Sequence, residues 1–202
     1  MSRFILIFIL LVGVNPVNAH ELKPAIIDIQ FLQNGHVELI IRTNLEAILA
    51  KVSADHKDTD DAPESEYYNQ LRSLSSEQLQ QQFIQSENDF RQGLSLIINP
   101  EKDPYPIIWE MQSIKIPDIG DTRIIRESII HYQAKLSKQA VEAVWRYPEQ
   151  YGSHIVRFSI AGQDSKAGFY LSPGQNSPQY SLTQLKPNSK LWDIIKQYTL
   201  LG

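Results

Sequence analysis

Histidine offers the most versatile chemistry in this sequence, because an imidazole can ligate a metal or act as a base near neutral pH. The chain has five histidines and no cysteine, which excludes disulfides, thiolate metal sites and thiol catalysis. No two histidines form a close pair or an H-E-x-x-H motif, so a metal site has to be assembled from distant positions. The five are His20, His36, His56, His131 and His154.

The first nineteen residues have the pattern of a secretory signal. A short basic start that ends at Arg3 precedes the apolar run 4–14, and small side chains lead up to Ala19. The apolar run is too short to span a bilayer comfortably, which favours a cleaved signal peptide over an anchor helix. The sequence therefore predicts a signal peptide over 1–19 and a periplasmic or other extracytoplasmic location, with membrane association left open.

Cleavage after Ala19 would give His20 a free α-amine beside its own imidazole. Together these two nitrogens can chelate a metal ion, because their ordinary pKa values of about 8 and about 6.5 leave both accessible near neutral pH. Nitrogen ligands of this kind suit divalent nickel, cobalt or copper. We expect His20 to be the nucleus of such a site, with His154, His131 or His56 as a further ligand.

Signatures of catalysis and of nucleic-acid binding are missing. The net charge is −4 and there is no basic run, which argues against binding to a phosphate backbone. The sequence has no G-x-S-x-G, P-loop or G-x-G-x-x-G motif, and no small-molecule substrate is evident from it. Ser153 and His154 are adjacent, but neighbours on a strand point to opposite faces. We therefore predict a protein that is not an enzyme.

Apolar residues alternate with polar ones at a period of two in most of the chain, which predicts strands. In the first hairpin, a three-residue loop with Gly35 in the left-handed region keeps both apolar sets on one face, by pairing Phe31 with Val37. Further strands are predicted near 94–98, 107–116, 123–136, 141–147, 154–161 and 166–172. About eight such strands separated by turns predict a mainly β protein, an antiparallel Ig-like β-sandwich.

Helical spacing replaces this alternation over about 44–92, which predicts an α-helical insertion between the second and third strands. Asn44 is a candidate cap for a short first helix, and a second helix would follow Pro63. Ser75 and Gln78 fit a capping box for a third. The second helix would bury Tyr67, Leu71 and Leu74, and the third Leu79, Phe83 and Phe90.

A last helix is predicted over 188–202. Its apolar stripe consists of Leu191, Ile194, Ile195, Tyr198 and Leu201. Such a stripe would dock on the domain itself or lie next to a membrane. The predicted organisation is thus a signal peptide over 1–19, a domain over 20–187 and a C-terminal helix over 188–202.

Several short segments, in their order and spacing, resemble the extracytoplasmic N-terminal part of HupE/UreJ-type membrane proteins, the hydrogenase/urease accessory family. They include His20-Glu21-Leu22-Lys23-Pro24, Thr43-Asn44-Leu45-Glu46-Ala47, Pro117-Asp118-Ile119-Gly120-Asp121 and Tyr170-Leu171-Ser172-Pro173-Gly174. The resemblance covers nearly all of the chain after Ala19. In that family a multi-helix membrane part follows, which is presumed to move nickel or cobalt.

The resemblance implies an accessory domain in metal-ion uptake that works beside an integral membrane partner. It transfers no catalytic residues, and we do not expect this chain to transport ions by itself. The alternative is a protein-interaction module that docks on a membrane partner and holds no metal.

Overall fold

A computed structural model describes residues 23–53, 62–118, 120–121, 124–136, 139–163 and 166–183. Of the predicted features, the signal peptide, His20, His56 and the C-terminal helix over 188–202 lie outside these residues. The described part is mainly β, with two sheets.

Ten strands and three α-helices make up the described chain. The strands are β1 Ala25–Phe31, β2 His36–Asn44, β3 Ser95–Ile98, β4 Tyr105–Pro106, β5 Glu110–Lys115, β6 Glu127–Lys135, β7 Glu142–Arg146, β8 His154–Ile160, β9 Lys166–Leu171 and β10 Tyr180–Ser181. The helices are α1 Leu45–Ala50, α2 Ser65–Arg72 and α3 Ser76–Gly93, all between β2 and β3 in the chain. A single 3-10 turn, Glu149–Tyr151, precedes β8.

The strands form a large and a small sheet. The large sheet has the strand order β5-β6-β2-β1-β8-β9, and the small sheet has the order β10-β7-β3-β4. Aromatic side chains join the two sheets, because the ring of Tyr180 in β10 stacks on Phe158 in β8 with 4.9 Å between centroids. Tyr180 also stacks on Phe31 in β1, so β10 lies opposite the β1–β8 pair.

The first hairpin has the predicted register. Phe31 pairs with Val37, Ile29 with Leu39 and Ile27 with Ile41. Gly35 has a φ of 80°, in the left-handed region where a residue without Cβ is not strained. This register confirms the predicted three-residue loop, which keeps the apolar residues of both strands on one face.

The prediction that all strands are antiparallel is wrong for one pair. β1 and β8 are parallel, with Ala25 opposite His154 and Phe31 opposite Ile160. A period of two shows which face a side chain occupies but says nothing about which strand lies beside which. In the large sheet the parallel pair places the starts of β1 and β8 at the same end.

The strand predicted over 107–116 begins later than predicted, because residues 107–109 link the two sheets. β4 ends at Pro106 in the small sheet, and β5 begins at Glu110 in the large one. The linking residues Ile107 and Trp109 are buried, whereas Ile108 is 79% exposed. Alternation therefore continues through a crossing between sheets, and the sequence pattern does not reveal the crossing.

The helices follow most of the predicted signals. The Asn44 side chain caps α1 by accepting a hydrogen bond from the Ala47 N–H, and Ser75 with Gln78 forms a capping box at α3. In α2 the buried tyrosine is Tyr68 and not the predicted Tyr67, which is 46% exposed. Within the described part of the chain, no helix combines the length and apolar composition needed to cross a bilayer.

A buried ion pair joins the helices to the large sheet. Arg126, just before β6, donates from Nε to Glu46 Oε1 of α1 at 2.7 Å, and both side chains are at most 3% exposed. Its Nη1 also donates, at 3.1 Å, to the carbonyl oxygen of Leu74, which lies just after α2. Because a buried charge is costly without partners, this pair holds α1 and the α2–α3 turn in one arrangement.

Candidate functional site

The end of the large sheet at which β1 and β8 begin brings together the residues of the candidate site. His154 is the first residue of β8, and its Cα partner across the parallel pair is Ala25, the first residue of β1. The turn Glu149–Tyr151 and Gly152, with a φ of 80°, lead the chain into β8. The N-terminal approach to β1 and the histidine therefore share one end of the sheet.

The His154 side chain points to the inner face of the large sheet and is 0% exposed. Its ring lies 4.9 Å from the Tyr147 ring, centroid to centroid. Neither ring nitrogen has a hydrogen-bond partner of normal geometry. A buried polar group without a partner is uncommon in folded proteins and calls for an explanation, such as a ligand.

Burial lowers the pKa of His154 to about 4, because the charged imidazolium loses its hydration, and the nearby Gly152 backbone offsets this only in part. His154 is therefore a neutral imidazole at neutral pH. Neutral imidazole is the form that ligates metal ions.

A small cavity of about 60 Å³ adjoins this end of the sheet. Residues on both sides of the β1–β8 pair line it, with Lys23 and Pro24 on one side and Gly152 and Ser153 on the other. Asn44, at the start of α1, also lines it. The two residues that precede β1 and the two that precede His154 thus border the same space.

The other predicted histidine ligands do not all converge here. His131 lies in β6 opposite Ile40, on the outer face of the large sheet, and β2 and β1 separate β6 from β8. His131 and His154 are thus on opposite faces and cannot ligate one ion together. Among the described residues, no group of three or more His, Asp or Glu side chains is placed to hold a metal ion.

A charged cluster on the outer face of the large sheet was not predicted from the sequence. Asp28 of β1 accepts hydrogen bonds from Arg157 of β8, at 2.7 Å from Nη2, and from Arg42 of β2. Burial raises the pKa of Asp28, but the hydrogen bonds from both guanidinium groups outweigh burial and keep this pKa below its usual value. A groove of about 320 Å³ runs beside the cluster.

The signal for this cluster was present in the sequence. Each charged residue of the cluster comes directly after a buried apolar residue of its strand. Asp28 follows Ile27, Arg42 follows Ile41 and Arg157 follows Val156. Charged residues in the middle of strands mark a face that is exposed or paired. Only the strand order shows that the three charges meet.

No family model matches the chain, and a search of curated proteins gives no match either. The resemblance to the HupE/UreJ-type family therefore stays a prediction.

Proposed function

We propose that this protein is an extracytoplasmic, non-enzymatic accessory domain that binds a divalent metal ion and serves an integral membrane partner. The ion would be nickel, cobalt or copper, as the resemblance to HupE/UreJ-type proteins and the nitrogen ligands suggest. The fold we assign to it is an Ig-like β-sandwich in which residues 44–92 form a helical insertion. Facing aromatic side chains of the two sheets support that assignment.

The observation that carries this proposal is the pairing of Ala25 with His154. Four residues lie between His20 and Ala25, and the five residue steps that join them span at most about 18 Å when extended. A chain that enters β1 from His20 therefore has His154 within its reach. His131 is a much poorer partner for His20. It lies on the opposite face from His154, and its strand β6 is two strands away from β1.

The donor set would consist of three nitrogens: the α-amine and imidazole of His20, and the imidazole of His154. His154 is already neutral at neutral pH, so binding would cost it no proton. The cavity bordered by Lys23 and Ser153 lies at this end of the sheet, and its lining stops one residue short of His154. Among the candidate metals, nitrogen ligands bind copper most tightly.

Calorimetric titration of the chain that begins at His20 with copper, nickel and cobalt tests the proposal. We expect one ion per chain, and affinity reduced by about tenfold or more in His154→Leu and in a form with one extra N-terminal Gly. His131→Leu is the matched control and should bind like the wild type. Equal binding by all four proteins, or no binding at all, would exclude the site.

The second candidate is an interaction module without metal, and the outer face of the large sheet favours it. That face combines the Asp28 cluster with apolar side chains, a composition typical of protein interfaces. If the titrations show no metal binding, this candidate replaces the first.

A further inference from the structure

The two sheets of the described chain end in four edge strands, and three of these edges are protected against pairing with another chain. β4 and β10 are only two residues long, and β4 contains Pro106, which has no backbone N–H to donate. The register of β5 with β6 shifts between Met111 and Ser113. A bulge of this kind bends an edge strand away from regular pairing.

The fourth edge, β9, lacks these protective features. It runs over six residues, contains no Pro and pairs with β8 in continuous register. Alternate residues of an antiparallel edge strand turn their backbone N–H and C=O groups away from the sheet. In the described part of the chain, no strand pairs with that side of β9. A regular edge of this length is a template for the addition of another strand.

Gly168, in the middle of β9, is not required by the packing of the described residues. Glycine inside a strand costs about 0.5–1 kcal/mol relative to alanine. A Cβ at Gly168 would lie 3.8 Å from Arg157 Cγ and 4.0 Å from the Val156 carbonyl oxygen, which are ordinary contacts. Gly168 is also not among the glycines with a positive φ. Glycine within a strand often marks a place where a second backbone approaches closely.

Tyr170 lies two residues after Gly168 and therefore on the same face of β9. Its side chain is 63% exposed, which is unusual for a ring of this size. An exposed ring and a bare backbone position, two residues apart on one edge strand, are complementary to each other. An aromatic side chain that covers a glycine on a neighbouring strand compensates for the missing side chain.

A second copy of β9 places these two features opposite each other. If the copies run antiparallel with Phe169 on the twofold axis, Gly168 of each copy lies opposite Tyr170 of the other. The same register sets Lys166 opposite Ser172, so no two like charges face each other. Opposed residues of an antiparallel pair share a face, so the buried face of one sheet continues into that of the other.

We propose that β9 pairs antiparallel with β9 of a second copy of this chain, centred on Phe169. The six-stranded sheets of two copies then form one continuous sheet, and the contact between Gly168 and Tyr170 occurs twice. Pairing along one edge buries less than the roughly 1,200 Å² of a standard interface, so we expect a weak dimer that exchanges with monomer. The proposal does not depend on the metal site, because the contacts come from β9 alone.

Sedimentation equilibrium of the chain that begins at His20, over a range of concentrations, tests the dimer. We expect Tyr170→Glu to raise the dissociation constant by about tenfold or more, because the ring that covers Gly168 is lost. The matched control is Tyr67→Glu, since Tyr67 is an exposed tyrosine of α2, and it should dimerise like the wild type. A wild-type chain that stays monomeric at every concentration, or equal dissociation constants in all three proteins, would overturn the proposal.

The absence of cysteine from the chain allows a test of the register, because any disulfide then joins introduced thiols. Residues directly opposite in an antiparallel pair have Cα atoms about 4.5–5.5 Å apart, within the range of a disulfide. Under mild oxidation, an equimolar mixture of the Gly168→Cys and Tyr170→Cys proteins should form a disulfide-linked dimer. Each protein alone should not, because its two thiols lie two positions out of register.

Two measurements separate loss of pairing from loss of folding and from other occupants of the edge. Urea denaturation of Tyr170→Glu, at a concentration where the wild type is monomeric, should match that of Tyr67→Glu. In the monomeric state a maleimide should label Tyr170→Cys as fast as Tyr67→Cys. Protection of Tyr170→Cys in a monomer would assign the edge to another segment of the same chain and contradict the dimer. Equal disulfide formation in the mixture and in either protein alone would contradict the register.

Discussion

The two faces of the large sheet are built from the same strands but differ in burial and in charge. On β8, Phe158 points inward and is 0% exposed, whereas the side chain of the preceding residue, Arg157, is 48% exposed. The inner face has buried polar groups without partners, such as His154 and the Ser128 hydroxyl. On the outer face, Asp28, Arg42 and Arg157 pair with one another.

This difference shows how one strand can serve two purposes. Stability comes from the inner face, because removal of large apolar side chains from water is the main favourable term in folding. The charged cluster on the outer face contributes little stability, since partly exposed ion pairs are screened by water. Substitutions on the two faces of the same strand should therefore differ in both size and character.

The largest effect is expected from Phe158→Ala on the inner face. The Phe158 ring stacks on Tyr180 and lies 6.4 Å from Phe169, so its removal leaves a cavity between the two sheets. We expect the free energy of unfolding to fall by about 3–5 kcal/mol in urea denaturation. Ile84→Ala, on the exposed side of α3, is the control and should change it by less than about 0.5 kcal/mol.

A smaller, pH-dependent effect should come from His154. Its pKa is about 4 in the folded protein against 6.5 for the ordinary side chain, so the unfolded chain binds the proton more strongly. The free energy of unfolding of the metal-free protein should therefore decrease by about 1.4 kcal/mol per pH unit at most as pH falls from 6.5 towards 4. Urea denaturation across this range measures the slope.

The same series on His154→Leu isolates the contribution of the imidazole. The variant should lose less stability than the wild type between pH 6.5 and 4, and the difference between the two should be constant above pH 7. Parallel curves over the whole range would contradict a lowered pKa of His154 in the folded protein.

The smallest effect is expected from Asp28→Ala on the outer face. This variant leaves the two guanidinium groups without their shared carboxylate, but both Arg side chains keep access to water. We expect a loss of about 1 kcal/mol at low salt, which should shrink in 1 M NaCl because salt screens the pairs (~3 Å Debye length). Glu38→Ala on β2 is the control, and a loss that does not depend on salt would contradict the assignment.

Local features of the fold could be predicted from the sequence, and neighbour relations could not. The register of the first hairpin and the caps at Asn44 and Ser75 depend on residues close together in the chain. The parallel β1–β8 pair depends on residues that are 129 positions apart. In α2 the choice between Tyr67 and Tyr68 depended on what the helix packs against, since the two side chains differ by only 100° around the axis.

The same limit applies to the candidate site. The sequence indicated His154 as a ligand on grounds of residue type, but its burial and its place beside Ala25 follow from the strand order. His131 looked equivalent in the sequence, yet its neighbours Ile130 and Tyr132 are buried, which places its side chain on the outer face. That alternation was visible in the sequence and would have separated the two histidines.

The parallel β1–β8 pair determines when the large sheet can form during synthesis of the chain. β1 is the first strand of the domain to be synthesised, but the strand that covers its second edge is β8. Until residue 160 has emerged, the β1–β2 hairpin exposes unpaired backbone along a strand rich in isoleucine, which is a template for aggregation. Because β1 and β8 are far apart in the sequence, the chain is expected to fold slowly. Until β8 pairs with β1, the hairpin would need protection from association with other chains.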